Sequence, residues 1–84
     1  MLYTVKIKGK AEKHLNKIPE QQRNRIKQTL VVLQSEPLSG KKLFGKYENE
    51  YSIRVWPHRI IYRIYKNILL IVVVDIDHRQ GAYK

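Results

Sequence analysis

The residues best suited to chemistry are arginines interleaved with aromatic side chains. Arg54, Arg59 and Arg63 are accompanied by Trp56 and Tyr65. A guanidinium is planar and permanently charged, and it holds two phosphate oxygens at once. Aromatic rings offer stacking platforms for unpaired bases. In an extended chain, alternate residues share a face. That rule groups Ser52 with Arg54 and Trp56, and Arg59 with Ile61, Arg63 and Tyr65. Lys41, Lys42 and Lys46 add charge just upstream. The chemistry implied is binding of phosphates and stacking on bases, as in a polyanion partner. Read as residues alone, Arg54 and Arg59 are equally compatible with solvated strand positions.

Among the remaining titratable groups, His78 beside Arg79 suits acid–base work near neutrality. A lone histidine in such a place is nevertheless more often a surface or hydrogen-bonding residue. Tyr83 is fit for stacking or orienting a phosphate; an ordinary phenol pKa of about 10 makes it a poor base. Asp75 and Asp77 alternate, with His78 adjacent, and two carboxylates plus an imidazole invite a test for a hard cation. Turn or cap roles, or pairing with nearby arginines, are favoured over a metal there. His58 beside Pro57 reads as structural and Tyr62 as core. His14, on the first helix, lies away from the arginine face and receives no role. There is no glycine-rich phosphate loop and no serine nucleophile elbow. No cysteine is present to form a disulfide or thiolate metal site. No metal or cofactor is expected.

The elements that must position these groups follow from periodicity. Residues 51–55, 59–65 and 68–74 are rich in β-branched and aromatic side chains. Turn signals at Trp56-Pro57-His58 and Lys66-Asn67 separate them, so they read as three consecutive antiparallel strands. The third is apolar throughout, as for a strand buried on both faces. Residues 2–8 alternate, with Tyr3, Val5 and Ile7 on one side, and predict a half-buried strand. Ala11, Leu15 and Ile18 predict a short helix over 10–17. Pro19 breaks it and can open a second helix, which runs to about Gln34 with Ile26, Leu30 and Leu33 as its core stripe. Residues 37–50 hold Pro37, Ser39-Gly40 and Gly45 and read as a loop.

The order is therefore β-α-α-β-β-β, one α+β domain over residues 1–84. A helical hairpin is expected on one face of a mostly antiparallel four-stranded sheet. The other face would show Arg54, Trp56, Arg59, Ile61, Arg63 and Tyr65. The apolar Ile61 and Tyr65 there suggest that a partner segment also covers it.

Composition agrees with this assignment. Seventeen Lys and Arg against seven Asp and Glu give a net charge of +10 in 84 residues. Such a bias favours nucleic acid, anionic lipid or an acidic protein as partner. The longest apolar run, 68–74, is too short to span a bilayer. Residues 2–7 alternate and include Lys6, which is unlike a secretory leader. A cytoplasmic location is the expectation.

The whole chain resembles the RelE/ParE superfamily of toxins from type II toxin–antitoxin modules. The resemblance rests on the element order and on three stretches: Tyr51-Ser52-Ile53-Arg54-Val55, Arg59-Ile60-Ile61-Tyr62-Arg63-Ile64, and His78-Arg79 with Tyr83. Leu43 and Gly45 match a further habit of the family before the strands. RelE-like members are endoribonucleases that enter the ribosomal A site and cut messenger RNA. ParE-like members poison DNA gyrase and lack the ribonuclease residues. Both are held inactive by an antitoxin encoded beside them.

On the RelE-like side, the resemblance implies that Arg59, Arg79 and Tyr83 sit at the active site. Two lysines of the best-known member fall on Ser52 and Arg54; Arg54 keeps the charge and Ser52 does not. Some relatives use histidine or glutamate, so His58, His78, Glu48 and Glu50 stay open as the general base. The expected reaction is metal-independent attack by the RNA 2′-OH, with Arg59 and Arg79 on the phosphorane, Arg54 on the same or a neighbouring phosphate, and Lys41, Lys42, Lys46, Ser52, Trp56 and Arg63 along the RNA. The expected partners are the ribosome, its message and an acidic RelB-like antitoxin, with no membrane. A ParE-like gyrase inhibitor and a non-catalytic nucleic-acid-binding module are the alternatives.

Overall fold

A computed structural model describes residues 2–43 and 49–78. Its elements are β1 (Thr4–Ile7), α1 (Gly9–Asn16), α2 (Glu20–Ser35), β2 (Lys41–Lys42), β3 (Glu50–Val55), β4 (His58–Tyr65) and β5 (Leu70–His78), with 3-10 turns at Pro37–Ser39 and Lys66–Ile68. The sheet order is β1-β5-β4-β3-β2. β1 runs parallel to β5, and every other pairing is antiparallel. The expected order of elements is thus observed, with one strand more than expected. Lys41 and Lys42 carry no strand pattern of their own. They join the sheet by pairing with Ser52 and Tyr51.

The two helices form because their apolar residues recur at helical spacing and find the sheet. Ala11, Leu15 and Ile18 from the first and Ile26, Leu30 and Leu33 from the second are buried. They meet Ile60, Tyr62 and Ile64 of β4 and Ile71, Val73 and Ile76 of β5 in one core. Strict alternation along β4 buries every second residue from His58 to Ile64, as a sheet covered on one face requires. Pro19 stands just ahead of α2 as its N-cap, one position earlier than a first-turn proline. Tyr3 and Gln34 exchange two hydrogen bonds, Tyr3 N–H to the Gln34 carbonyl at 2.9 Å and Gln34 Nε2 to the Tyr3 carbonyl at 3.1 Å, and so tie the entry of β1 to the end of α2.

The last strand departs from the sequence reading at both ends. Ile68 is not a strand residue; it closes a 3-10 turn and is exposed. At the other end β5 continues through Asp75, Ile76 and Asp77 to His78, because β4 offers a partner for each. Between the Ile61–Asp75 and Tyr62–Val73 pairs the strand carries one extra residue, Val74. That bulge shifts the alternation, so Ile71 and Val73 before it and Ile76 after it all reach the core.

Candidate functional site

The β3–β4 hairpin positions the arginines, and α2 holds its tip. Gln22 Oε1 lies 2.7 Å from His58 Nε2, and Arg25 donates to the Trp56 carbonyl at 2.7 Å. These two α2 residues are three apart and therefore on one helix face. His58 is buried in this contact, in keeping with a structural role. Just beyond the tip, Arg54 pairs in register with Arg59, and Arg59 with Asp77. Directly opposed residues of antiparallel strands share a face. A row of two guanidiniums and one carboxyl therefore crosses the side of the sheet away from the helices. Among the described residues, the buried Nε of Arg59 has no hydrogen-bond acceptor. An orphan guanidinium donor of this kind is costly unless a ligand satisfies it.

The other expected contacts divide by register. Arg63 opposes Glu50 and is bound to it, Nε to Oε2 at 3.3 Å. The Tyr65 oxygen and that carboxylate both favour its charged form. Lys41 pairs with Ser52 and so shares the arginine face, whereas Lys42 pairs with Tyr51 toward the helices. Ser52 is buried, at 9% exposure, in a row with Lys41 and Ile61; this corrects its placement on an open RNA-binding surface. Trp56 lies past the end of β3 in the hairpin turn and is 56% exposed. Ile61 and Tyr65 are each half-buried. His78 ends β5 in register with His58, and the structure describes its backbone alone. Lys46, Glu48, Arg79 and Tyr83 lie outside the described residues.

One cluster was missed. Where β1 ends at Ile7, α1 takes over the flank of β5. His14, which the sequence reading left without a role, approaches Asp75 with its Nδ1 at 2.9 Å from Oδ1. Lys10 Nζ is 3.4 Å from the other oxygen. Lys10 and His14 are four apart on α1, a spacing that puts both on one face. Only the 61-residue separation hid their common partner. The Ile76 N–H also donates to Asp75, at 2.9 Å.

Burial pushes the Asp75 carboxyl up, but hydrogen bonds from Asp77 and Ile76 and the Lys10 ammonium outweigh it and hold it below the usual range. Asp77 goes the other way: burial, then the hydrogen bond and charge of Asp75, raise it despite Arg59 and Lys10. Pairing with arginines is the expectation for these aspartates; Asp77 stands in register with Arg59, but among the described residues no ion pair joins the two. Asp75 instead takes a lysine and a histidine. Asp77 lines a pocket of about 280 Å³ with His14, Lys17, Ile18, His58 and Ile76. Among the described residues no three His, Cys, Asp or Glu side chains converge to hold a metal ion, and no helix is long and apolar enough to cross a membrane.

A helical hairpin on one face of a small mixed sheet, with opposed arginines on the other, defines a basic α+β domain that presents its charge from strands. Comparison with known proteins identifies the class. Residues 5–83 match the model of the ParE toxin of type II toxin–antitoxin systems, parDE, and the chain belongs to that family, within the RelE/ParE superfamily of toxins. Toxin RelG of Mycobacterium tuberculosis is 32% identical over 90 residues, covering 100% of this chain and 99% of the relative. The RelBE2 toxin–antitoxin complex of M. tuberculosis superposes with a TM-score of 0.85 at 30% identity, over 94% of this chain and 100% of that one. An E. coli RelE toxin with two arginine-to-alanine changes, in its free state, shares the fold with a TM-score of 0.84 at 21% identity, over 98% of this chain and 88% of that one. The chain is thus the toxin of a toxin–antitoxin module.

Proposed function

We propose that the chain is a ribosome-dependent endoribonuclease of the RelE-like kind, which cuts messenger RNA and so stops translation. The observation that carries this reading is the row of Arg54 and Arg59, with the unsatisfied Nε of Arg59 within it. RNA carries its own nucleophile, the 2′-OH. The protein must hold the phosphate, stabilise the pentacovalent charge and move two protons. Two opposed guanidiniums suit the first two tasks, because like charges held together favour an anion between them. Arg79 and Tyr83 join them by resemblance, and Lys41 and Trp56 extend the surface along the RNA. The partner in the resting state is an acidic RelB-like antitoxin; the solved relative from M. tuberculosis is itself a toxin–antitoxin complex. A chain of net charge +10 is matched to such a partner.

A second reading is favoured by one observation: the matching family model is that of the ParE toxin. On that reading the chain inhibits DNA gyrase by binding it, and the arginine row is a protein contact. Tightly controlled expression separates the two. Message ends are mapped on translating ribosomes for the parent and for Arg59→Ala. Cuts inside ribosome-positioned codons that vanish in Arg59→Ala support the nuclease. Growth arrest with accumulated gyrase cleavage complexes and intact messages supports the inhibitor.

A further inference from the structure

The arginine row ends at Asp77, and Asp77 is also one wall of a pocket. Arg54 pairs in register with Arg59, and Arg59 with Asp77. Asp77 lines a cavity of about 280 Å³ together with His14, Lys17, Ile18, His58 and Ile76. The floor of this cavity is fixed: Ile18, His58 and Ile76 are all buried, and Gln22 holds the His58 ring at 2.7 Å. The rim is polar, with Lys17 exposed and His14 half-buried. Pockets for drug-sized ligands run from about 300 to 1,000 Å³, so this one takes a single small ring system. A carboxylate at the end of a phosphate-binding row repels the phosphate. Its presence calls for a hydrogen-bond donor on the ligand, since an ionised carboxylate can only accept. The His14 ring has a definite sense as well. Its Nδ1 lies 2.9 Å from Asp75 Oδ1, and Lys10 Nζ is 3.4 Å from the other oxygen of that carboxylate. Nδ1 is therefore the donor, and the neutral ring keeps Nε2 as an acceptor. The matching ligand has a flat body, N–H donors on one edge and a negative charge for Lys17. A nucleotide whose base carries an exocyclic amino group has all three. Uracil lacks that group, and its one ring N–H is flanked by two carbonyl oxygens that a carboxylate repels.

We infer that the pocket between the end of α1 and β5 is a nucleotide subsite continuous with the arginine row, and that it takes one unpaired adenine, cytosine or guanine. The base lies on the floor of Ile18, His58 and Ile76. Asp77 accepts from its amino group, and Lys17 meets its phosphate. Unpaired bases are read in this way, by a flat contact and by hydrogen bonds to their edges. The role of the subsite rests on the ribonuclease reading: it holds one message nucleotide beside the phosphate bound by Arg54 and Arg59. Asp77 is then a specificity-determining residue.

Titration of the full chain with the four ribonucleoside 5′-monophosphates tests the site without the ribosome. It is run at pH 8, far above the ordinary carboxylate range of about 4, and followed by NMR at the Ile18 and Ile76 methyl groups and the His14 ring. Asp77→Asn and Lys17→Ala are titrated beside the parent, each checked for folding by circular dichroism. AMP, CMP and GMP should shift the pocket signals. UMP should bind there about 10-fold more weakly or worse, the worth of one hydrogen bond to a charged group. Asp77→Asn should remove that difference, because an amide offers a donor as well as an acceptor. Lys17→Ala should weaken all four nucleotides alike. Cutting of ribosome-bound message supplies the second readout. The parent should cut at sites with an amino-bearing base at one fixed position beside the break in preference to uracil there, and in Asp77→Asn that ratio should fall about 10-fold. UMP bound in the pocket as tightly as the other three, or nucleotides that leave the Ile18, Ile76 and His14 signals unmoved, overturn the subsite and leave the nuclease reading intact. A parent chain that binds amino-bearing nucleotides in the pocket but cuts no ribosome-bound message keeps the subsite and overturns the nuclease reading.

Discussion

Arg54 and Arg59 face one another directly across the β3–β4 hairpin, two like charges in one cross-strand pair. Such a pair is destabilising on its own account by a few tenths of a kcal/mol up to about 1 kcal/mol. A position that costs stability is a candidate for function. Arg59→Ala and Arg54→Ala should therefore melt at or slightly above the parent while losing toxicity. Thermal melts at low salt paired with a growth-arrest assay check both halves. Arginine variants that melt well below the parent and still arrest growth would mark the pair as structural.

The neighbouring rows make the contrast explicit. Arg63 opposes Glu50, an opposite charge, and the two are bonded with both side chains largely buried. Arg63→Ala leaves a partly buried carboxylate unpaired, so it should destabilise the chain by about 1–3 kcal/mol. Urea unfolding of Arg63→Ala beside Arg59→Ala measures this directly. Equal stabilities for the two variants would contradict the division of the face into a paired arginine and an available one.

Gly40 is fixed by close approach and not by its backbone angles. Its φ of −81° is open to any residue. A Cβ there would stand 2.7 Å from the Ser52 carbonyl oxygen and closer still to the Tyr62 hydroxyl. That hydroxyl accepts from the Gly40 N–H at 3.1 Å and donates to the Pro37 carbonyl at 2.8 Å. Burial first, and Tyr51 after it, push the phenol up against the opposing pull of the Gly40 N–H, so it stays protonated and able to donate. Gly40→Ala should destabilise by about 1–3 kcal/mol through overpacking. Tyr62→Phe should cost a similar amount through the two lost hydrogen bonds. The double variant, measured by urea denaturation, should cost less than the sum, because both act on one contact. Strict additivity would count against the shared contact.

These residues show where sequence reasoning works. Alternation in β4 and helical spacing at Ala11, Leu15, Ile26, Leu30 and Leu33 are one-dimensional patterns, and each placed its residue on the correct face. The arginine row followed from the same rule. Register between strands is not written in such patterns. The pairing of Lys41 with Ser52 decides that Lys41 and not Lys42 shares the arginine face, and that Ser52 is buried. The bulge at Val74 is likewise silent in an apolar run, yet it sets the alternation through which Ile76 reaches the core. Asp75 and Asp77 are poor strand formers, so propensity ended β5 too early; pairing with β4 overrides it. His14 and Asp75 meet only because α1 replaces β1 along the edge of β5, a consequence of the fold as a whole.

Asp75 and Asp77 give stability opposite dependences on pH. The Asp75 carboxyl, at 14% exposure, is held below its ordinary value in the folded chain. It contributes stability that is present above the unfolded value of about 3.9 and lost as pH falls through the folded one. Asp77 is raised, so its ionised form burdens the fold above its folded value, and the burden lifts as pH falls through that value toward 3.9. Asp75→Asn should therefore melt below the parent at pH 7, by about 1–2 kcal/mol for a charged hydrogen-bonding group, with the difference narrowing below about pH 4. Asp77→Asn should melt at or above the parent at pH 7, and its advantage should shrink on acidification. Melts at intervals from pH 3 to 7 resolve the two trends. Should Asp75→Asn cost as much at pH 3 as at pH 7, the Asp75 side chain would be stabilising through its shape alone, and the ion pair of its carboxylate with Lys10 would be refuted.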